Sequence, residues 1–235
     1  MIEIHQLTQL EEFATVVRLQ REIWGFDDVE LLPQRLFVVA DKIGGQVLGA
    51  FDHGKMVAFC LGIPGLKPGG RYYIHSHMMG VLPPYRNGGL GRRLKLEQRT
   101  WALNRDVDLI EWTFDPLQIK NAFFNIERLG VIIRRYVHNQ YGTTTSTLHG
   151  GLPTDRLVPE WWIRSPRVEA IIAGREFTRP ATQARIVVPA KTHDREIQQE
   201  IGNQFDQHFR AGFAVIGFEK SEEAGTYLLG TWESK

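Results

Sequence analysis

A single cysteine, Cys60, stands among 235 residues. It leaves no partner for an internal disulfide and too few thiolates for a metal site built on several sulfurs, so a reducing compartment is expected. Long apolar runs are lacking too. No stretch approaches the roughly 18 residues that a bilayer span needs, and no membrane attachment is expected. Nor is there an excess of charge of either sign: 28 Lys and Arg against 27 Asp and Glu give a formal net charge of +1. Without a global field, binding of nucleic acid or anionic lipid is not expected, and any polyanion must be met by a local patch. The opening Met1-Ile2-Glu3-Ile4-His5 lacks the basic segment and apolar stretch of an export signal, which makes the cytoplasm the expected location.

What is present reads as one globular α/β chain. Hydrophobic residues make up 43% and charged residues 23%, close to the norm for packed domains. Ile2 and Ile4 alternate as in an edge strand, and Thr8 is placed to cap a helix carrying Leu10, Phe13, Val16, Val17 and Trp24, ended by Gly25. Pro33 fits the first turn of a second helix, stopped by Gly44-Gly45. Two short apolar runs, 46–51 and 56–63, flank Asp52-His53-Gly54-Lys55 as in a hairpin. A strand over 72–82 must end at Pro83-Pro84, since neither proline can donate to a ladder. Residues 89–104 form an amphipathic helix with Leu90, Leu94 and Trp101 on its apolar stripe and Arg92, Arg93, Lys95 and Arg99 on its polar side. A strand over 107–114, a helix with Ile119, Ala122, Phe123, Ile126 and Leu129 on one face, and a strand over 131–137 complete the order β-α-α-β-β-β-α-β-α-β. That order predicts a mixed sheet with right-handed crossovers, flanked by helices, with a core over 1–149. Residues 150–235 are expected to form an α/β extension folded onto the core, serving as a substrate lid or an oligomer contact. A homodimer is compatible with it. In the extension, strands over 158–163, 184–188, 213–218 and 226–232 and a helix over 194–209 are expected.

The most informative segment is Leu82-Pro83-Pro84-Tyr85-Arg86-Asn87-Gly88-Gly89-Leu90-Gly91-Arg92. A strand stops at prolines, a glycine-rich turn follows, and a helix begins with unpaired N–H groups and the positive end of its dipole facing that turn. Such a construction binds phosphate. Gly88, Gly89 and Gly91 let the backbone approach an anion, while Arg86 and Arg92 add charge-assisted hydrogen bonds. Between Arg71 and Arg99 stand six basic residues and one acidic one, the local patch that the net charge hides. A tight turn with solvated arginines is the bland alternative. A dinucleotide fingerprint would need glycine where Leu94 stands, and a P-loop would need Gly-Lys-Ser/Thr.

With Met79-Gly80-Val81 leading into Arg86-Asn87-Gly88-Gly89-Leu90-Gly91, and Asn121-Ala122-Phe123-Phe124-Asn125-Ile126-Glu127-Arg128-Leu129-Gly130-Val131 further on, the chain resembles the GCN5-related N-acetyltransferase (GNAT) superfamily over roughly residues 1–140. The resemblance implies an α/β (α+β) fold with a mixed, mostly antiparallel central sheet flanked by helices, and an acyl-coenzyme A cofactor, acetyl-CoA or another acyl-CoA such as succinyl-CoA. It implies that residues 86–92, Asn87 among them, hold the pyrophosphate and that the backbone near Met79 and Val81 pairs with pantetheine. The helix with Asn121 and Phe124 would flank the cofactor's other side. Many members carry a tyrosine as general acid where Ile126 stands here, so that role is not carried over. Tyr136 and Tyr141 are the substitutes nearby, and unassisted departure of the thiolate is the alternative.

His75 and His77 lie two apart on the strand before the turn, and period 2 puts both imidazoles on one face. A base with pKa near 6.5 suits deprotonation of an ammonium acceptor at neutral pH. The same spacing resembles the arylalkylamine N-acetyltransferase branch, which implies a proton relay through these two residues. Hydrogen-bonded filler and a metal site are the competing readings, and no metal is expected because no acidic ligands are grouped nearby. Asn121 and Asn125, one turn apart, are expected to share a face turned to pantetheine or the acceptor. Asp115 either receives a cationic amine or caps the next helix. Trp161 lines an acceptor pocket or belongs to the core. Arg134, Arg135, Arg156 and Arg164 are candidates to receive a carboxylate. The expected activity is N-acyl transfer to a primary amine of a small molecule by direct attack in a ternary complex. An amino acid with a succinyl donor is the narrower form, which rests on a resemblance to a bacterial subgroup. A non-catalytic, regulatory CoA-binding module is the alternative.

Overall fold

A computed structural model describes residues 1–142, 152–191 and 194–232. They divide into two compact units, 1–110 and 111–232. The expected division at 149/150 lies outside the described residues, and the extension does not stand apart from residues 111–142. The reason is strand pairing: β6 (Ile132–Val137) pairs antiparallel with both β7 (Arg156–Trp162) and β9 (Phe213–Lys220).

In the first unit β1 (Glu3–Gln6), β2 (Gln46–Asp52), β3 (Lys55–Leu66) and β4 (Tyr72–Val81) form an antiparallel sheet in sequence order. His53 at φ 48 and Gly54 at φ 78 make the tight β2–β3 turn, whose twist matches that of the strands it joins. Helix α1 (Leu10–Trp24) buries Phe13, Val16 and Leu19, each contributing about 1.5–3 kcal/mol of apolar transfer. The expected Thr8 cap is replaced. The Glu12 carboxylate instead accepts the backbone N–H groups of Thr8 at 2.9 Å and Gln9 at 3.0 Å. Helix α2 (Gln34–Lys42) packs on α1. Helix α3 (Leu90–Leu103) follows a short 3-10 turn over 83–85.

The two faces of this sheet can be told apart by what touches them. A Cβ added at Gly80 of β4 would come within 2.8 Å of the Trp24 indole, so α1 presses on that face. On the opposite face a Cβ at Gly62 of β3 would meet Gln98 of α3 at 3.1 Å.

In the second unit the strand order is β7-β6-β9-β10-β8, with β8 (Ala184–Pro189) and β10 (Ala224–Thr231). Strand β5 (Leu109–Glu111) straddles the division and is shorter than expected; Phe114 forms only an isolated bridge to Leu157. Helix α4 (Ile119–Phe123) continues as a π-turn over 124–128, where Val131 N–H reaches Asn125 O at 3.3 Å. Helix α5 (Pro166–Ile172) was not anticipated, and the Ser165 hydroxyl caps it. Helix α6 (Arg195–Arg210) starts where the Asp194 carboxylate accepts Ile197 N–H at 2.9 Å. Phe205 of α6 packs on Tyr136 and Tyr227, giving this unit an aromatic core. The fold is mixed α/β, every pairing described above is antiparallel, and no helix among the described residues is long and apolar enough to cross a membrane.

Candidate active site

Strand β4 is bulged. Gly62 and Leu61 are neighbours on β3, yet they oppose Ser76 and Met78 on β4, so His77 is the extra residue. Residues paired across a ladder share a face. Ser76, opposite Gly62, therefore turns toward α3, and Met78 and Gly80 turn toward α1. His75, opposite Ile63, is also on the α1 face, and its ring lies 5.7 Å from that of His77, tilted by 45°. The two imidazoles are thus brought together, both half-buried. Burial holds His77 below its ordinary pKa, which keeps it neutral and able to accept a proton below pH 6.5.

The bulge also decides which backbone groups of β4 face outward. Leu82 N–H donates to Val57 O at 3.0 Å while Val81 pairs with Ala58, which makes Ala58–Val81 a non-hydrogen-bonded pair. Alternation makes Cys60–Met79 another. The amides of Met79 and Val81 consequently point away from β3, and the Val81 carbonyl, aimed that way, accepts Arg86 Nε at 2.9 Å. Past the proline turn, Asn87 at φ 64 and Gly89 at φ 81 reverse the chain. Glycine suits the second position because Cβ strains that conformation. Gly88 needs another explanation: its φ is unexceptional, and a Cβ there would meet nothing within 4 Å. The fold does not demand glycine at 88, and the missing side chain leaves the backbone there open to close approach.

Helix α3 then starts at Gly89 with no side-chain cap, and its first ladder bond runs from Arg93 N–H to Gly89 O at 3.1 Å. The N–H groups of Leu90 and Gly91 precede that bond, at the end of the helix where the ladder leaves donors over. Exposed Arg86 and half-buried Arg92 flank them. Uncapped amides, a bare glycine and two guanidinium groups suit the diphosphate of a coenzyme A, with the outward amides of Met79 and Val81 continuing the line of donors.

The remaining candidates belong to the second unit. Asn121 is exposed and Asn125 is buried, so they do not share a face. The π-turn over 124–128 lengthens the repeat and breaks the four-residue spacing on which that expectation stood. Phe124 opens this turn and is half-buried. Asp115 Oδ1 accepts Leu117 N–H at 2.9 Å, a turn that leads into α4. Trp161 is fully buried, its indole N–H donates to Leu129 O at 2.7 Å, and its ring meets Trp112 edge to face; it is a core side chain rather than the wall of an acceptor pocket. Ile126 is fully buried as well. The Tyr136 hydroxyl donates to Asp155 at 2.7 Å, and burial together with that carboxylate drives its pKa far up, which unsuits it as an acid. Tyr141 shares a hydrogen bond with Thr113 at 2.9 Å. Arg134 and Arg135 are each engaged by a carboxylate, Glu160 at 2.6 Å and Glu111 at 2.8 Å.

Two features at β4 were missed. The bulge at His77 has no compositional marker. Lys95, expected on the polar side of α3, is only 2% exposed. Its spacing from Gly91, Gln98 and Ala102 puts it on the buried stripe, so helical periodicity alone would have located it.

A bulged strand leading through a glycine-rich turn into an uncapped helix start, in a sheet of this order, is the arrangement of a CoA-binding acyltransferase fold. The chain belongs to the acetyltransferase (GNAT) family, whose sequence model matches residues 4–130, more than half of its length. Among solved structures it is similar to the ribosomal-protein-S18-alanine N-acetyltransferase of Escherichia coli, with 18% identity, a TM-score of 0.53, and 68% of this chain and 92% of that one covered. An acetyltransferase of Acinetobacter baylyi ADP1 gives 14% identity, a TM-score of 0.57 and coverage of 71% and 94%. Arabidopsis thaliana Naa50, bound to the bisubstrate analogue CoA-Ac-MVNAL, gives 15%, 0.54, and 68% and 97%. At such identities the likeness concerns the fold. No curated protein sequence matches the chain.

Proposed function

We propose that the protein is an acyl-CoA-dependent N-acyltransferase that acts on a primary amine of a small molecule by direct attack within a ternary complex. The observation that carries this reading is the continuous run of donors from the outward amides of Met79 and Val81 to the uncapped start of α3. Naa50, of similar fold, holds a CoA conjugate. Acyl-CoA supplies the thioester, in which a new C–N bond replaces the C–S bond.

The chain's own residues do the rest. Arg86, Arg92 and the amides of residues 88–92 bind the diphosphate. Backbone N–H groups near Met79 to Val81 orient and polarise the thioester carbonyl. His77, kept neutral by burial, takes a proton from the ammonium of the acceptor, directly or through His75 or a water. Cys60 is not an acyl carrier, because it is fully buried and burial raises its thiol pKa. With Ile126 at the place of the family's usual acid and Tyr136 committed to Asp155, the thiolate departs without a side-chain acid. The narrower form of the reading is an amino acid acceptor with a succinyl donor.

The test is coenzyme A release from acetyl-CoA and succinyl-CoA across amino acids, arylamines and peptides. Turnover with one acceptor class supports the reading. Tight CoA binding with silence across the panel replaces it with a non-catalytic CoA-binding module.

A further inference from the structure

We infer that Lys95 is a positioning residue: by holding Ser76 it locks the bulge of β4, and with it the direction of His75 and His77. The inference deepens the proposed reading of this strand and rests on it for its catalytic consequence.

Lys95 Nζ donates to Ser76 Oγ at 2.7 Å and to Gln98 Oε1 at 3.2 Å. Gln98 Nε2 turns to Cys60 Sγ at 3.4 Å, and that sulfur lies 3.8 Å from Ser76 Oγ. The four side chains come from β3, β4 and α3, and each is at most 5% exposed. Room for the Gln98 amide exists because Gly62 carries no Cβ.

Packing alone does not call for this arrangement. An ammonium inside a sheet–helix interface loses its hydration, which pushes Lys95 down to about 8, whereas methionine would fill a similar volume without that cost. Its location gives the reason. Ser76 is the residue before the bulged His77. If β4 relaxed into a regular ladder with Met78 still opposite Leu61, His77 would come opposite Gly62 and turn toward α3, while Ser76 would leave that face and His75 would enter it. A charged hydrogen bond at Ser76 singles out one register. Lys95 also sits one turn beyond Gly91 on the helix that begins the cradle, so one element sets both the anion site and the strand.

The experiment uses the full chain with Lys95→Met, Ser76→Ala and Ser76→Thr, the last retaining a hydroxyl. Histidine ring signals are recorded by NMR, together with kcat at saturating acyl-CoA, CoA affinity and the urea midpoint. The expected result is that Lys95→Met and Ser76→Ala move the His75 and His77 signals and lower kcat about tenfold or more, with the urea midpoint held and Ser76→Thr close to wild type. Stationary ring signals in Ser76→Ala overturn the inference, as does a loss of kcat that merely follows the urea midpoint and that Ser76→Thr shares. Should Lys95→Met fail to fold, the two serine variants decide. Unaltered kcat in a His75→Ala/His77→Ala variant removes the base reading instead, and the ring signals of the single variants still judge the positioning.

Discussion

Helices α3 and α6 are of similar length, 14 and 16 residues, and begin differently. The Asp194 carboxylate closes the start of α6 on Ile197 N–H, satisfying a donor that would otherwise need water. The start of α3 has a glycine in that place, after a turn in which a Cβ at Gly88 would meet nothing within 4 Å. A helix that exists to fill a core gains from a capping side chain. One that must receive an anion gains from leaving its amides free and from putting arginine rather than aspartate beside them.

Substitutions at the two helix starts should act on different properties. Gly88→Val should have the largest effect: its side chain would fill the space proposed for the diphosphate, and CoA affinity measured by calorimetry is expected to fall by about 2–4 kcal/mol with stability unchanged within about 0.5 kcal/mol. Arg86→Ala should cost CoA binding about 1–3 kcal/mol, the range for a charge-assisted bond; unchanged affinity takes Arg86 out of the site. Asp194→Ala is the mirror image. It is expected to lower unfolding stability in urea by about 0.5–2 kcal/mol and to leave CoA binding alone.

The smallest effect is the pH response of His77. Its folded pKa lies below the unfolded value, so the unfolded chain binds more protons, and its contribution to stability is lost as the pH falls from about 6.5 toward the folded pKa. The acid limb of kcat/KM should lie below 6.5 for the same reason. A limb at or above 6.5 that His77→Gln leaves in place assigns it to another group.

Much of this architecture is legible in the amino-acid order. The ten elements from β1 to β6 follow from where apolar spacing changes between about 3.6 and 2, and the β2–β3 turn follows from the backbone that His53-Gly54 can adopt. The glycine turn is legible because its chemistry is local. What escapes reading depends on partners distant in sequence. The bulge at His77 exists only relative to β3. Asn121 and Asn125 look equivalent until the π-turn shifts one inward, and nothing in Phe124-Asn125-Ile126-Glu127-Arg128 announces that turn. Helix α5 is the exception: a Ser165 cap, Pro166 at the first helical position and an acidic Glu169 in the first turn are start signals of ordinary kind. It was obscured by the short length of the helix and by the tryptophan pair before it.

The segment from Met79 to Arg92 is proposed to receive a diphosphate. Calorimetric titration with coenzyme A and with pantetheine, which lacks the diphosphate, tests it most directly. Coenzyme A should bind at least about 30-fold more tightly, an advantage of about 2 kcal/mol that Gly88→Val erases. Equal affinity for the two ligands, or an advantage that survives Gly88→Val together with Arg86→Ala, would contradict the account.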